Sequence, residues 1–158
     1  MEWSVVAAEP ADSLQIAGMV GELLGEIMAS TGQAHFHFDG EAARQRLVAW
    51  LEVGDYRAFL ARAPGDPDPL GVICVTETQA LYAGGALGLV PEFFVRPAWR
   101  SRGVGRALLQ RVRALGAERG WGRLEVTTPP LPAFERTFAF YERQGLTVAG
   151  GRKMKLEL

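Results

Sequence analysis

Three arginines bracket two glycines in V-R-P-A-W-R-S-R-G-V-G-R-A-L-L, residues 95–109, where a strand-like run leads straight into a helical one. A turn of this kind aims several partnerless backbone N–H groups at one point and adds the positive end of a helix dipole. Arg100, Arg102 and Arg106 bring guanidinium groups that grip oxyanions, so the combination suits a phosphate or diphosphate. Other glycine-loop chemistries fit less well. A P-loop ends in Gly-Lys-Ser/Thr, which is absent, and a dinucleotide fingerprint needs a third glycine where this chain has Leu108. Nucleic acid is not expected as a partner, because the net charge is −1 and the basic residues are not interleaved with aromatics.

Just upstream, Pro91 interrupts the run L-G-L-V-P-E-F-F-V, residues 87–95. Proline cannot donate to a ladder, so this strand is expected to carry a bulge or to lie at an edge. A bulge would splay the next strand away. Backbone groups near Glu92, Phe93, Phe94 and Val95 would then be left for an extended, peptide-like ligand.

The elements around these two features alternate between strand and helix. Trp3 to Ala8 is a β-branched run and reads as a first strand. Ile16, Val20, Leu23, Leu24 and Ile27 follow at helical spacing behind Asp12, a candidate N-cap, and Asp39 similarly precedes Ala43, Leu47, Trp50 and Leu51. Tyr56–Ala63 and Leu70–Thr78 are strand-like and joined by the turn chemistry of residues 64–69, which suits an antiparallel hairpin. After the glycine turn, Leu108, Val112 and Leu115 line one helical face and Gly120 ends it. Arg123–Thr128 reads as a strand before T-T-P-P-L-P. Phe134, Phe138 and Tyr141 recur at helical spacing before Gly145, a candidate C′ residue. Leu146–Ala149 and Arg152–Leu158 are expected to form a terminal hairpin around Gly150 and Gly151. Lys153, Lys155 and Glu157 would guard its edge by charge.

A length of 158 residues suits one domain, residues 1–158, with a sizeable core. The single cysteine, Cys74, lies within an apolar run, so it reads as a buried thiol and excludes an internal disulfide. No apolar run approaches the roughly 18 residues of a membrane helix, and no basic start precedes a long apolar stretch. Neither a membrane nor an oxidising compartment is expected, which leaves the cytoplasm. Charge is unevenly spread: residues 1–99 carry 5 Lys/Arg against 13 Asp/Glu, while residues 100–158 carry 12 against 5. An acidic amino half and a basic carboxyl half suit a cationic and a polyanionic ligand respectively, or simply pair with each other.

The arginine–glycine segment, followed by F-A-F-Y-E-R-Q-G-L at residues 138–146, resembles the GNAT superfamily of acetyl-CoA-dependent N-acetyltransferases. Arg100, Gly103 and Gly105 match that family's (Arg/Gln)-x-x-Gly-x-(Gly/Ala) loop. The second segment matches its F-Y-E-x-x-G-F helix end, with Leu146 in place of Phe. The resemblance covers nearly the whole chain. It implies a mixed α/β fold, with a twisted, mostly antiparallel sheet of about six to seven strands, a splayed and bulged central strand, and helices on both faces.

The resemblance also implies acetyl-CoA as co-substrate, with its diphosphate on Arg100, Ser101, Arg102, Gly103, Val104, Gly105 and Arg106. The pantetheine arm would then lie along Phe93–Val95, with the N–H of Phe94 or Val95 polarising the thioester carbonyl. Direct attack by an amine needs a base and an acid. Glu92, beside the bulge, is the candidate base. Tyr141, the tyrosine of F-Y-E, is the candidate acid; its helical spacing with Phe134 and Phe138 also suits a core aromatic, and the catalytic role is the one favoured.

His35 and His37 fall where the family commonly shapes its acceptor site, although they also suit loop packing. Without Cys or carboxylate at ligand spacing they do not suggest a metal. Thr127 and Thr128 stand near where many members place an acceptor-binding Asn. The reaction expected is transfer of an acetyl group to a primary amine of a small molecule. A protein N-terminus or lysine is the alternative acceptor, and a non-catalytic CoA-binding sensor is the alternative of another class. Homodimerisation is common in this fold and is carried as an expectation.

Overall fold

Residues 2–34 and 37–158 are described by the computed structural model of the chain. They fall into two units, Met1–Thr127 and Thr128–Leu158. In the first unit the strands are β1 (Ser4–Ala7), β2 (Tyr56–Arg62), β3 (Gly71–Ala80), β4 (Gly85–Val90), β5 (Phe93–Val95) and β6 (Leu124–Val126). Helices α1 (Ser13–Thr31) and α2 (Gly40–Val53) lie between β1 and β2, and α3 (Val104–Arg119) lies between β5 and β6. The sheet order is β1-β2-β3-β4-β6, with β5 also on β3. Every pairing is antiparallel except β4 with β6. The result is the mixed α/β, mostly antiparallel six-stranded sheet that the sequence leads one to expect.

Strand alternation sorts the core onto two faces. Tyr56, Ala58, Leu60, Val72, Cys74 and Phe94 pack with Ile16, Ala17, Met19 and Val20 of α1 and Leu47 of α2. The intervening Phe59, Ala61, Ile73 and Val75 are also buried, on the face where α3 packs against β2 and β3. There Leu108 and Val112 are wholly excluded from water, each such side chain contributing roughly 1.5–3 kcal/mol of burial free energy. Helices therefore cover both faces of this sheet.

Helix starts follow local chemistry in one case and not in the other. The Asp39 carboxylate caps α2, accepting from the N–H groups of Glu41 and Ala42 at 3.1 Å. Asp12 occupies the N-cap position of α1 without capping it. A 3-10 turn at Pro10–Asp12 runs into the helix and gives Asp12 itself helical angles. Its carboxylate instead accepts from the Glu9 N–H and from Arg62, each at 2.8 Å.

The run at residues 87–95 is two strands, not one. Thr76 stands opposite Leu89, and Ile73 stands opposite Phe93. Two residues of β3, Cys74 and Val75, thus face Val90, Pro91 and Glu92, which is a bulge of one extra residue at the proline. The Cys74 N–H donates to the Glu92 carbonyl at 2.8 Å and closes it. β4 keeps β6 beside it as far as Val90↔Val126, whereas β5 pairs with β3 alone among the described residues. The sheet therefore opens at the bulge.

Behind the parallel β4–β6 pair, the Trp121 indole fills a slot between Gly88 and Gly116 and donates its N–H to Glu77. Gly88 N–H bonds the Arg123 carbonyl and Gly122 N–H bonds the Ala86 carbonyl, tying the approach to β6 onto β4.

The second unit contains α4 (Glu135–Arg143), after which Gly145 takes a φ of 92° as a helix-ending glycine should. The Phe140 and Tyr141 rings meet edge-on, 5.5 Å between centroids. The expected terminal hairpin is not formed. Gly150 and Gly151 have the positive φ of a tight turn, 85° and 74°, yet residues 146–158 carry no regular structure and Met154 and Leu156 are exposed. A two-stranded hairpin has little stability of its own. No helix among the described residues is long and apolar enough to cross a membrane.

Candidate active site

The backbone between β5 and α3 is shaped as an anion cradle. A 3-10 turn at Pro97–Trp99 leads to Ser101 at φ 60° and Gly103 at φ 87°. Ser101 is the one non-glycine residue with positive φ among the described residues. Such left-handed turns gather successive N–H groups on a concave side, and strain of this kind is retained where a function uses it. Gly103 is the N-cap of α3 and offers no capping side chain. The first bond within the helix runs from the Ala107 N–H to the Gly103 carbonyl at 3.1 Å, so the N–H groups of Val104, Gly105 and Arg106 precede the helical ladder. The positive end of a 16-residue helix thus opens onto the loop.

The arginines are arranged unequally. Arg100 donates through Nε to the Val95 carbonyl at 2.8 Å and clasps the Glu26 carboxylate of α1 with both terminal nitrogens, at 2.9 and 2.8 Å. It braces α1, β5 and the loop together. The neighbouring Arg96 bonds the Pro69 carbonyl and Glu22 of α1. The guanidinium of Arg102 lies over the Trp99 ring, 5.4 Å from its centroid, and Arg106 is exposed.

Along β5, alternation assigns each backbone group a side. Glu92 and Arg96 bond to Cys74 and Leu70 of the neighbouring segment, so Phe94, two residues from each, also turns its N–H and C=O toward β3. Its side chain is buried. Val95 turns its backbone to the opposite, opened side, where its carbonyl meets Arg100. Of the two N–H groups expected near a thioester, the one at Val95 is on the open edge and the one at Phe94 is in the ladder.

At the bulge, Glu92 is half-buried and does not stand in solvent. The Tyr56 phenol donates to its Oε2. Burial raises the Glu92 carboxyl above the ordinary carboxylate range, opposed by that hydrogen bond. Burial likewise raises Tyr56 and Cys74, and the Cys74 thiol interacts with the same phenol. Tyr56 packs on Trp50 of α2, with ring centroids 5.2 Å apart. Tyr56 and Cys74 carry no motif: the sequence marks Cys74 as a buried thiol and Tyr56 as a strand residue, and neither as part of a site. The signal available was Tyr56 at an inward position of an alternating strand, where a buried hydroxyl must find a partner.

Tyr141 is 7% exposed, and burial pushes its phenol up to about 12. His35 lies outside the described residues. His37 and Thr127 are exposed and Thr128 is half-buried. Among the described residues no group of three or more His, Cys, Asp or Glu side chains could hold a metal ion.

Residues 55–147 match the family model of the acetyltransferase (GNAT) domain. No curated protein matches the sequence. Among solved structures, an integron cassette protein from the mobile metagenome of Cole Harbour Salt Marsh is 27% identical, with a TM-score of 0.77 over 98% of this chain and 90% of its own. A ribosomal-protein-alanine N-acetyltransferase from Brucella melitensis biovar Abortus is 16% identical, with a TM-score of 0.71 over 98% and 99% of the two chains. AAC(6')-Iy, in complex with the bisubstrate analogue CoA-S-monomethyl-acetylneamine, is 15% identical, with a TM-score of 0.80 over 100% and 99%. These last two likenesses are of fold. The family match spans more than half of the chain, including the bulge, the arginine–glycine loop and α4, and the chain belongs to the GNAT family of acetyl-CoA-dependent N-acetyltransferases.

Proposed function

We propose that the chain acetylates a primary amine of a small molecule, holding acetyl-CoA on the Arg100–Arg106 loop and along the outer edge of β5. The observation that carries this reading is the one-residue bulge at Val90–Glu92, which separates β5 from β6 and puts the Val95 backbone on an open edge. The cradle at Ser101–Arg106 suits a diphosphate in charge and in donor geometry. The co-substrate supplies a thioester whose carbon accepts the amine. An extended amide-bearing arm can pair with a strand edge as a strand would.

Glu92 acts as base. It takes a proton from the incoming ammonium, so an N–H bond breaks and an O–H bond forms, and the neutral amine attacks. A carboxyl raised by burial holds a proton more firmly than an ordinary carboxylate, which suits that transfer. The Val95 N–H stabilises the charge that develops on the carbonyl oxygen. The C–N bond then forms as the C–S bond breaks, and Tyr141, protonated throughout the neutral range, gives the departing thiolate its proton. The attacking nitrogen loses its remaining extra proton to solvent, which leaves an amide and a free thiol.

The two units work as one acetyltransferase domain, a reading supported by the family match running across residue 127. A small cationic acceptor fits the acidic balance of residues 1–99. It also accords with the neamine-based analogue bound by AAC(6')-Iy. The cytoplasm is the setting proposed, given a single buried thiol.

The test is release of free thiol from acetyl-CoA, measured with neamine, spermidine, free lysine and a peptide with an unblocked amino terminus. Turnover is expected with the small amines and a loss of roughly 100-fold in Tyr141→Phe. Turnover of the peptide alone would move the acceptor to protein. A folded protein that binds CoA and acts on no amine would make the chain a sensor.

A further inference from the structure

Glu92 and Tyr56 lie 36 residues apart, on opposite sides of β3 in the sheet, and meet only because the bulge shifts the register. A two-residue run facing three sets Glu92 across from Cys74 instead of leaving it out of step, and Cys74 stands opposite Ala58 of β2. Tyr56, two residues before Ala58 on β2, is on the same face and reaches along it to the carboxyl. The phenol is held from behind by Trp50 and is 8% exposed. Extended strand at Pro91 without the extra residue would have turned the Glu92 side chain to the α3 face, away from Tyr56.

We propose that Tyr56 is a positioning residue for acyl transfer: its phenol holds Oε2 of Glu92 in place at the bulge and leaves Oε1 as the oxygen that takes the proton of the amine. The inference rests on Glu92 being the base. Tyr56 does not itself exchange protons, because burial and the neighbouring acids keep its phenol protonated, so it is a permanent donor. A permanent donor does two things to a carboxyl in an apolar setting. It fixes the side-chain torsions, and it favours the ionised form that serves as base, offsetting part of the burial that disfavours it. Among the described residues, the titratable groups acting on this carboxyl are Tyr56 from β2, through its hydrogen bond, and Cys74 from β3, whose thiol is itself kept protonated by burial and by the charge of Glu92. Burial sets the upward shift and the Tyr56 hydrogen bond opposes it, so losing the phenol narrows the pH range over which Glu92 remains a base.

The experiment follows the Glu92 side-chain carboxyl by carbon-13 NMR titration of the folded full-length protein, with Glu92→Gln identifying the resonance. Tyr56→Phe, which keeps the ring against Trp50, is expected to raise the Glu92 midpoint by about one pH unit. A fluorinated tyrosine at position 56, a stronger donor of the same shape, is expected to lower it. With acetyl-CoA and neamine or spermidine, Tyr56→Phe should shift the acid limb of the pH–rate profile by the same amount. It should also cut kcat on the order of tenfold at unchanged KM for acetyl-CoA.

Titration and profile unmoved in both Tyr56 variants, while Glu92→Gln abolishes the acid limb, would overturn the positioning role and leave the base in place. A Glu92→Gln protein that keeps the wild-type rate and limb would remove the base itself, and the inference with it.

Discussion

A methyl group added at Gly88 tests what keeps the sheet in register beside its opening. A Cβ built there would lie 2.5 and 2.6 Å from two carbons of the Trp121 indole and 2.9 Å from Leu124 of β6. Gly88 has an ordinary negative φ, so the backbone admits alanine and the sign of the effect depends on space. Lower entropy of the unfolded chain favours alanine by roughly 0.4–1 kcal/mol. Overpacking opposes it by about 1–3 kcal/mol, since a rigid indole cannot fold aside like an alkyl chain. Gly116 closes the slot from the other side, where a Cβ would come within 2.8 Å of the same ring. The indole has no retreat. Contacts this short put the overpacking at about 2–3 kcal/mol, so the net cost of Gly88→Ala is about 1–2.6 kcal/mol, a fall in Tm of roughly 2–10 °C for a chain of this size.

Thermal unfolding of Gly88→Ala, Trp121→Leu and the double variant forms a cycle that isolates the clash from the loss of the indole. Trp121→Leu alone is destabilising, because a large side chain and its hydrogen bond to Glu77 are lost. In the Trp121→Leu background the alanine should cost nothing or stabilise. If Gly88→Ala is as stable as wild type, or equally destabilising with and without Trp121, the slot does not set the register and the reasoning is refuted.

Three further outcomes follow from the site. Glu92→Gln should stabilise the protein near neutral pH and not below pH 4. The folded-state carboxyl is raised above its ordinary value of 4.5, so the native state binds more protons than the unfolded state between that value and the raised one, and stability falls as pH rises through this window. Denaturant unfolding of both proteins across that range checks it, and a difference independent of pH would contradict it. Gly103→Ala should weaken binding of CoA roughly fivefold or more by calorimetry, since no neighbour blocks the methyl but the φ of 87° resists it. Glu26→Gln should tighten CoA binding at low ionic strength by a factor of about two to five and lose this gain in salt, because it removes a half-exposed charge that engages Arg100.

What could be read from the residues alone was whatever depended on near neighbours in the chain. Pro91 announces its bulge because the missing N–H is a property of one residue, and the structure puts the extra residue there. Asp39 caps its helix, and Gly120 and Gly145 end theirs, for equally local reasons. Asp12 has the same residue type as Asp39 and fails to cap, because the 3-10 turn before it already gives it helical angles and its carboxylate is taken by the Glu9 N–H and by Arg62, fifty residues away. The terminal hairpin shows the converse, a correct turn at Gly150 and Gly151 without the pairing a strand requires.

The parts of the candidate site that escaped sequence reasoning share one cause. Tyr56 with Glu92 and Arg100 with Glu26 join residues 36 and 74 apart; the first depends on the registers in which β3 receives β2 and β5, the second on where α1 packs beside β5. Periodicity tells which face a residue occupies but not what stands across the sheet. The motif marked Arg100 as an anion ligand by type, whereas the fold spends its donors on Val95 and Glu26 and leaves the N–H groups at the start of α3 as the cradle. A side chain can be claimed by any distant partner of opposite charge, whereas backbone N–H groups at a helix start are committed by the turn itself. For this reason the glycine spacing is firmer evidence of diphosphate binding in this chain than the arginines beside it.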